Sequence, residues 1–170
     1  MNKILLTLIA MLVMGIAIYA VSNTSKTPNI AATPTTAPTT PTYIDVEIKL
    51  DVKGRDISGK LVFEFPSMER CQAESGNQKS FVQEYNETCN ESRGCKSVQV
   101  GSCSSFVDDK YLSMLNKQFK GSHYMHISDT QTSDERGVLA FWGLSDEEAT
   151  ALCDASRKDH YDESILTECL

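Results

Sequence analysis

Six cysteines and three histidines are the side chains of this chain best suited to nucleophilic or metal chemistry. The cysteines are Cys71, Cys89, Cys95, Cys103, Cys153 and Cys169. No two of them show the two-residue spacing of a zinc knuckle or a thioredoxin-like redox site. An even number of cysteines behind an export signal is instead the pattern of a disulfide framework formed in an oxidising compartment. Sequence alone leaves many connectivities open. The pairing favoured here closes the short polar loop with Cys89–Cys95 and ties two consecutive C-terminal helices with Cys153–Cys169. Cys71–Cys103 follows by elimination.

One loop has the look of a nucleophile site: Gly101-Ser102-Cys103-Ser104-Ser105. A Cys103 thiolate there would need an imidazole beside it, and His123 or His126 could supply one from a neighbouring strand. Pairing of Cys103 in a disulfide competes with this and is the stronger expectation. His123 and His126 lie three residues apart in an expected strand, so they point to opposite faces and do not share a metal. His160 sits in a polar connection near Asp159 and Asp162, a solvated setting. Paired acids occur at Asp108-Asp109, Asp134-Glu135 and Asp146-Glu147-Glu148. The first and third open expected helices, where a negative charge favours the helix dipole without any catalytic duty. No Gly-x-Ser-x-Gly elbow, His-Glu-x-x-His helix or phosphate-cradling glycine loop is present, and no cofactor or metal is expected. No catalytic residue is assigned.

The elements that would position these residues read as an α+β domain from Tyr43 to Leu170: a mainly antiparallel sheet of about five strands, with helices packed on one face. From Tyr43 to Lys53, Ile44, Val46, Ile48, Leu50 and Val52 alternate with charged residues, the period of a half-buried strand. Gly54 to Gly59 reads as a turn into a second strand, Lys60 to Phe65. Ser67 caps a helix that Ser75-Gly76-Asn77 should interrupt. Ser97 to Cys103 reads as a third strand. Asp108 or Asp109 caps a helix carrying Leu112, Leu115 and Phe119 on one face, with Gly121 as its stop. Ser122 to Ser128 and Gly137 to Trp142 are two more strands, the latter apolar on both sides and therefore central. Ser145 and Glu148 form a capping box, with Leu152 and Cys153 facing inward. Asp162 to Cys169 reads as a last helical piece.

Ahead of the domain, residues 1–21 carry an apolar run from Ile4 to Val21 behind Lys3. This is either a signal peptide or an uncleaved N-terminal membrane anchor. Residues 22–42 are a Thr/Pro-rich linker whose prolines keep it extended and solvated. Either reading of the apolar run places the domain outside the cytoplasm, in the envelope or secreted.

The chain carries a formal net charge of −7, with 16 basic and 23 acidic side chains. Lys3 and Lys26 precede the domain and every acid lies within it, so residues 43–170 carry −9. That field repels phosphate backbones, which excludes nucleic acid and favours a basic partner. The function that fits is a non-catalytic binding module on a flexible stalk, recognising a protein or surface polymer. A small extracytoplasmic hydrolase with its site near Cys103 and His123 or His126, and a structural envelope component, stand as alternatives.

Overall fold

The computed structural model describes residues 40–52, 54–89, 95–121, 123–129, 135–158 and 165–170. The apolar N-terminal run, most of the linker, the loop 90–94 and His160 lie outside the described residues.

In β1 (Thr42–Val52), Ile44, Val46, Ile48 and Leu50 are buried, while Asp45, Glu47, Lys49 and Asp51 reach solvent. Burying an aliphatic side chain of this size contributes about 1.5–3 kcal/mol. A one-residue slip would put charges in place of all four, so the register is fixed. β1 pairs antiparallel with β2 (Arg55–Phe65) from Thr42↔Phe65 to Val52↔Arg55, with Gly54 in the turn between them. Gly54 has a φ of 79°, a left-handed conformation that side chains resist, and its N–H donates to the Asp51 carboxylate at 2.8 Å. The turn expected over 54–59 is therefore mostly strand. Gly59 makes room instead: a Cβ there would lie 2.5 Å from the Phe141 ring on the neighbouring strand.

Helix α1 (Met68–Cys89) starts at Ser67, whose Oγ accepts from the Arg70 N–H at 3.2 Å. It runs through Ser75-Gly76-Asn77 without the expected break. Burial of Cys71 before that triplet and Val82 after it outweighs the weak local propensity. β3 (Cys95–Val100) follows, then α2 (Asp109–Leu115), β4 (Tyr124–Asp129), β5 (Arg136–Trp142), α3 (Asp146–Lys158) and β6 (Ile165–Cys169). The last of these was expected to be helical. Its β-branched Ile165 and Thr167 instead extend along β4, from Asp129↔Ile165 to Met125↔Cys169. α2 is also shorter than expected and ends before Phe119.

The sheet is antiparallel throughout, with strand order β3-β1-β2-β5-β4-β6, so the apolar β5 is interior as its sequence implies. The two long helices share one face, where Cys71 and Val82 of α1 and Leu152 and Cys153 of α3 meet Ile44, Leu61 and Leu139. The single short helix α2 lies on the other face, its Met114 and Leu115 against Val62, Val138, Ala140 and Tyr124. Two disulfides staple the layers, Cys71–Cys103 and Cys153–Cys169, each with Cα atoms 6.0 Å apart. The side chains of Cys89 and Cys95 lie outside the described residues. Among the described residues no cysteine is free, and no helix is long and apolar enough to cross a membrane.

The capping box on α3 is complete. Ser145 N–H donates to Glu148 Oε2 at 2.9 Å, and Glu148 N–H donates to Ser145 Oγ at 3.3 Å. Arg55 also reaches Glu148 Oε1, at 2.7 Å. Ser145→Ala is expected to cost about 0.5–2 kcal/mol, read from chemical denaturation. An unchanged midpoint would show that packing of Leu152 and Cys153 holds this helix end without its cap.

Candidate functional site

Cys103 is bonded to Cys71 and offers no thiolate. Its loop hangs on β1, where Ser104 and Tyr43 exchange backbone hydrogen bonds of 2.7 and 2.9 Å. β2 and β5 stand between β1 and β4, so His126 of β4, and His123 just before that strand, are three strand spacings away, about 14 Å. The structure does not bring Cys103 together with His123 or His126, and a thiol hydrolase at this place lacks both its nucleophile and its base.

The acidic pairs serve structure. Asp108 caps α2 by accepting from the Lys110 N–H at 2.8 Å. Asp146, Glu147 and Glu148 occupy the first turn of α3. Glu135 takes the Arg70 guanidinium of α1 at 2.6 Å, while Asp134 lies outside the described residues. Among the described residues no three His, Cys, Asp or Glu side chains converge as a metal site would require.

As the strand period implies, the two histidines part. His123 is exposed on the α3 side, 3.8 Å from Asp146. His126 is 4% exposed and faces α2. Its Nε2 lies 3.2 Å from the Leu115 carbonyl oxygen at the end of α2. A carbonyl can only accept, so Nε2 carries the proton and Nδ1 is a bare acceptor. Nδ1 has no hydrogen-bond partner among the described residues, and Glu168 of β6 stands 3.7 Å away. Around it the Glu64 carboxylate receives Arg136 at 3.1 and 3.2 Å, Arg136 also donates to the Leu115 carbonyl at 2.9 Å, and Lys117 pairs with Glu168.

Burial, followed by the Lys117 charge, holds the His126 pKa below its ordinary value; the Leu115 carbonyl and Glu168 pull the other way and do not prevail. The unfolded chain therefore takes up this proton more readily than the folded one. The stability that neutral His126 contributes is present above the ordinary histidine range and is lost as pH falls through it toward the folded value. We expect the melting temperature to drop between pH 7.5 and 5.5, and to drop less in His126→Gln. Equal drops in the two proteins would place the acid sensitivity elsewhere.

Beside this buried polar cluster the α2 face turns aromatic. Tyr43, Tyr111, Phe119 and Trp142 are half-buried around its core. Lys60 lies 5.6 Å from the Tyr111 ring centre, and Lys110 lies 4.8 Å from that of Trp142 and 5.7 Å from that of Phe119. Asp45 and Glu47 hold Lys60 from β1. Cations over indole and phenyl faces are attracted by the ring quadrupole, so the face mixes apolar area with both signs of charge.

On the loop leading into α2, Phe106 is 85% exposed, its N–H donating to Ser104 Oγ at 3.0 Å. This residue drew no notice in the sequence, because a lone phenylalanine among Ser104, Ser105 and Asp108 has no periodicity to betray which way it points. No protein-family model matches this chain, and no curated protein is significantly similar to it.

Proposed function

We propose that this protein is an exported, non-catalytic binding module, carried on a flexible stalk, that recognises another protein or a surface polymer through the α2 face of its sheet. The observation that carries this reading is Phe106. An exposed phenyl ring forgoes about 1.5–3 kcal/mol that burial would contribute. Its loop is not free to tuck the ring away, since Cys103 is bonded to Cys71 and Ser104 to β1. Aromatic side chains held rigidly at a surface are the usual anchors of protein interfaces, because little conformational entropy is lost when they are covered. The half-buried rings of the α2 face suit an apolar contact, and the Lys60 and Lys110 ammonium groups suit polar ones. Two disulfides are consistent with an extracytoplasmic setting. The net charge of −9 over residues 43–170 favours a basic partner.

The test is capture from envelope extract and from purified surface polymers by the immobilised full-length chain, beside its Phe106→Ser variant. The variant should melt with the wild type and retain about a tenth or less of the captured partner, the loss expected at a central aromatic anchor. Capture should also weaken as salt is raised. Undiminished capture by a well-folded variant would remove the α2 face from recognition.

A further inference from the structure

Helix α3 covers its part of the sheet with short side chains. Ala149, Cys153 and Ser156 turn inward, and Leu152 is the one large side chain among them. A cleft of about 110 Å³ is left between α3 and the sheet, floored by Met125, Leu139 and Leu152 and walled by Phe141 and Leu144. Both cysteines of the Cys153–Cys169 bridge also line it, and the bridge fixes the spacing of α3 and β6 with Cα atoms 6.0 Å apart. Protein interiors are ordinarily packed without gaps of this size, and apolar gaps of similar volume take up small apolar groups.

The mouth of this apolar cleft is acidic. Thr150 and Asp154 line it from α3, and Asp146 continues the same row one turn earlier, since residues four apart on a helix share a face. Asp154 is exposed, and among the described residues its carboxylate has no ion pair or hydrogen bond; Arg157, a cation of the same helix, does not engage it. Asp146 meets only His123, at 3.8 Å, and its side chain is 96% exposed. Glu148 is different, being held by Arg55 and by the Ser145 N–H, so it has no part in the mouth.

We propose that the α3 cleft receives a lysine side chain of a partner protein, its methylene stem against Met125, Leu139 and Leu152 and its ammonium at the mouth beside Asp154. A buried stem with a wet, charged head is the way lysine lies on apolar surface, and the cleft offers an apolar floor and a free carboxylate in that order. A single carboxylate at a narrow mouth suits the compact ammonium, which needs no fixed fork geometry, better than a guanidinium. A second copy of this chain would bring another domain of charge −9, whereas a basic segment meets complementary charge. A free alkylamine would find the same contacts, but one exposed ion pair and one short stem give little affinity, so the cleft serves as an anchor point within a larger protein interface. It lies on the face of the sheet opposite α2 and does not depend on the reading of Phe106.

The probe is the tripeptide Ala-Lys-Ala capped at both ends, titrated into the full-length chain. Its controls carry norleucine or arginine for the lysine, and n-pentylamine stands for the free amine. The methyl NMR signals of Met125, Leu139 and Leu152 should shift and saturate with millimolar lysine peptide. The norleucine peptide should bind about threefold more weakly, the margin of an exposed ion pair. That margin should vanish in Asp154→Asn and at high salt. Ala149→Leu, which fills the cleft from a helical position without loss of helix propensity, should abolish the shifts, and Phe106→Ser should leave the lysine peptide's Kd unchanged. The proposal is overturned by methyl signals that ignore the peptide, by norleucine binding as well as lysine in the wild type, or by a margin that survives Asp154→Asn. Undiminished binding by a folded Ala149→Leu variant overturns it too. Tighter binding of n-pentylamine or of the arginine peptide would assign the cleft to a different cation and overturn it as well.

Discussion

Replacing Cys71 and Cys103 together by alanine is expected to destabilise the domain by about 4 kcal/mol, against about 3 kcal/mol for the Cys153/Cys169 pair, if chain entropy dominates. The difference follows from the loops closed, 32 residues of sequence separation in one case and 16 in the other. Packing adds to the first loss, because Cys71 is fully buried against the core that β1 and α1 share. Removal of the bridge would also loosen the Cys103 loop, held thereafter by the Tyr43–Ser104 pair and by the Gly101 N–H on the Asp45 carbonyl. Urea unfolding of both double variants, with midpoints and slopes compared, measures the order. A larger loss from the Cys153/Cys169 variant would show that the tether of α3 to β6 outweighs loop length. Mild reductant should open the two bridges in the opposite order, since Cys169 is exposed and Cys71 is not.

Arg136→Ala is expected to cost about 2–4 kcal/mol, toward the lower side of what breaking a buried ion pair costs, because the guanidinium keeps partial access to water. Four acceptor atoms lose their donor at once: both oxygens of Glu64, the Leu115 carbonyl and Asn116 Oδ1. Glu64 is left as an unpaired carboxylate with its side chain 14% exposed, and the end of α2 loses one of the two groups that satisfy it. Arg136→Lys should recover only part of the loss. An ammonium can neutralise Glu64 but cannot span the fork of acceptors that the planar guanidinium reaches. Guanidinium chloride would screen the very interaction under test, so urea is the denaturant of choice. A cost below about 0.5 kcal/mol, the level of an exposed pair, would show that solvent already screens this cluster.

What the sequence disclosed depended on how local the physics was. β1 was legible because five aliphatic residues alternate with five charged ones, and the α3 cap because Ser145 and Glu148 satisfy each other within one turn. Cys153–Cys169 was reached by supposing that a bridge ties the last two elements together, and Cys71–Cys103 only by elimination. β6 was misread because Ile165 to Cys169 is too short to show a period; it became a strand when β4 offered an open edge. Gly59 was taken for a turn since its purpose, a Phe141 ring on another strand, lies 82 residues away. The same limit hid the candidate sites. Phe106 and the bare Nδ1 of His126 are defined by what surrounds them, and only the folded sheet assembles those surroundings.

The Thr/Pro-rich segment enters the domain at Thr42, which is buried and already paired with Phe65. β1 is thus bonded to β2 on one side and to β3 and Ser104 on the other from its first residues. Antiparallel ladder bonds lie across the strand axis, so a pull transmitted along the segment would load two rows of them in shear together. An edge strand pulled along its axis in the same way would load a single row. A domain hung from β1 should therefore resist drag from a bound partner better than its thermal stability alone suggests, and pulling it in the same geometry from β6 should open it at much lower force.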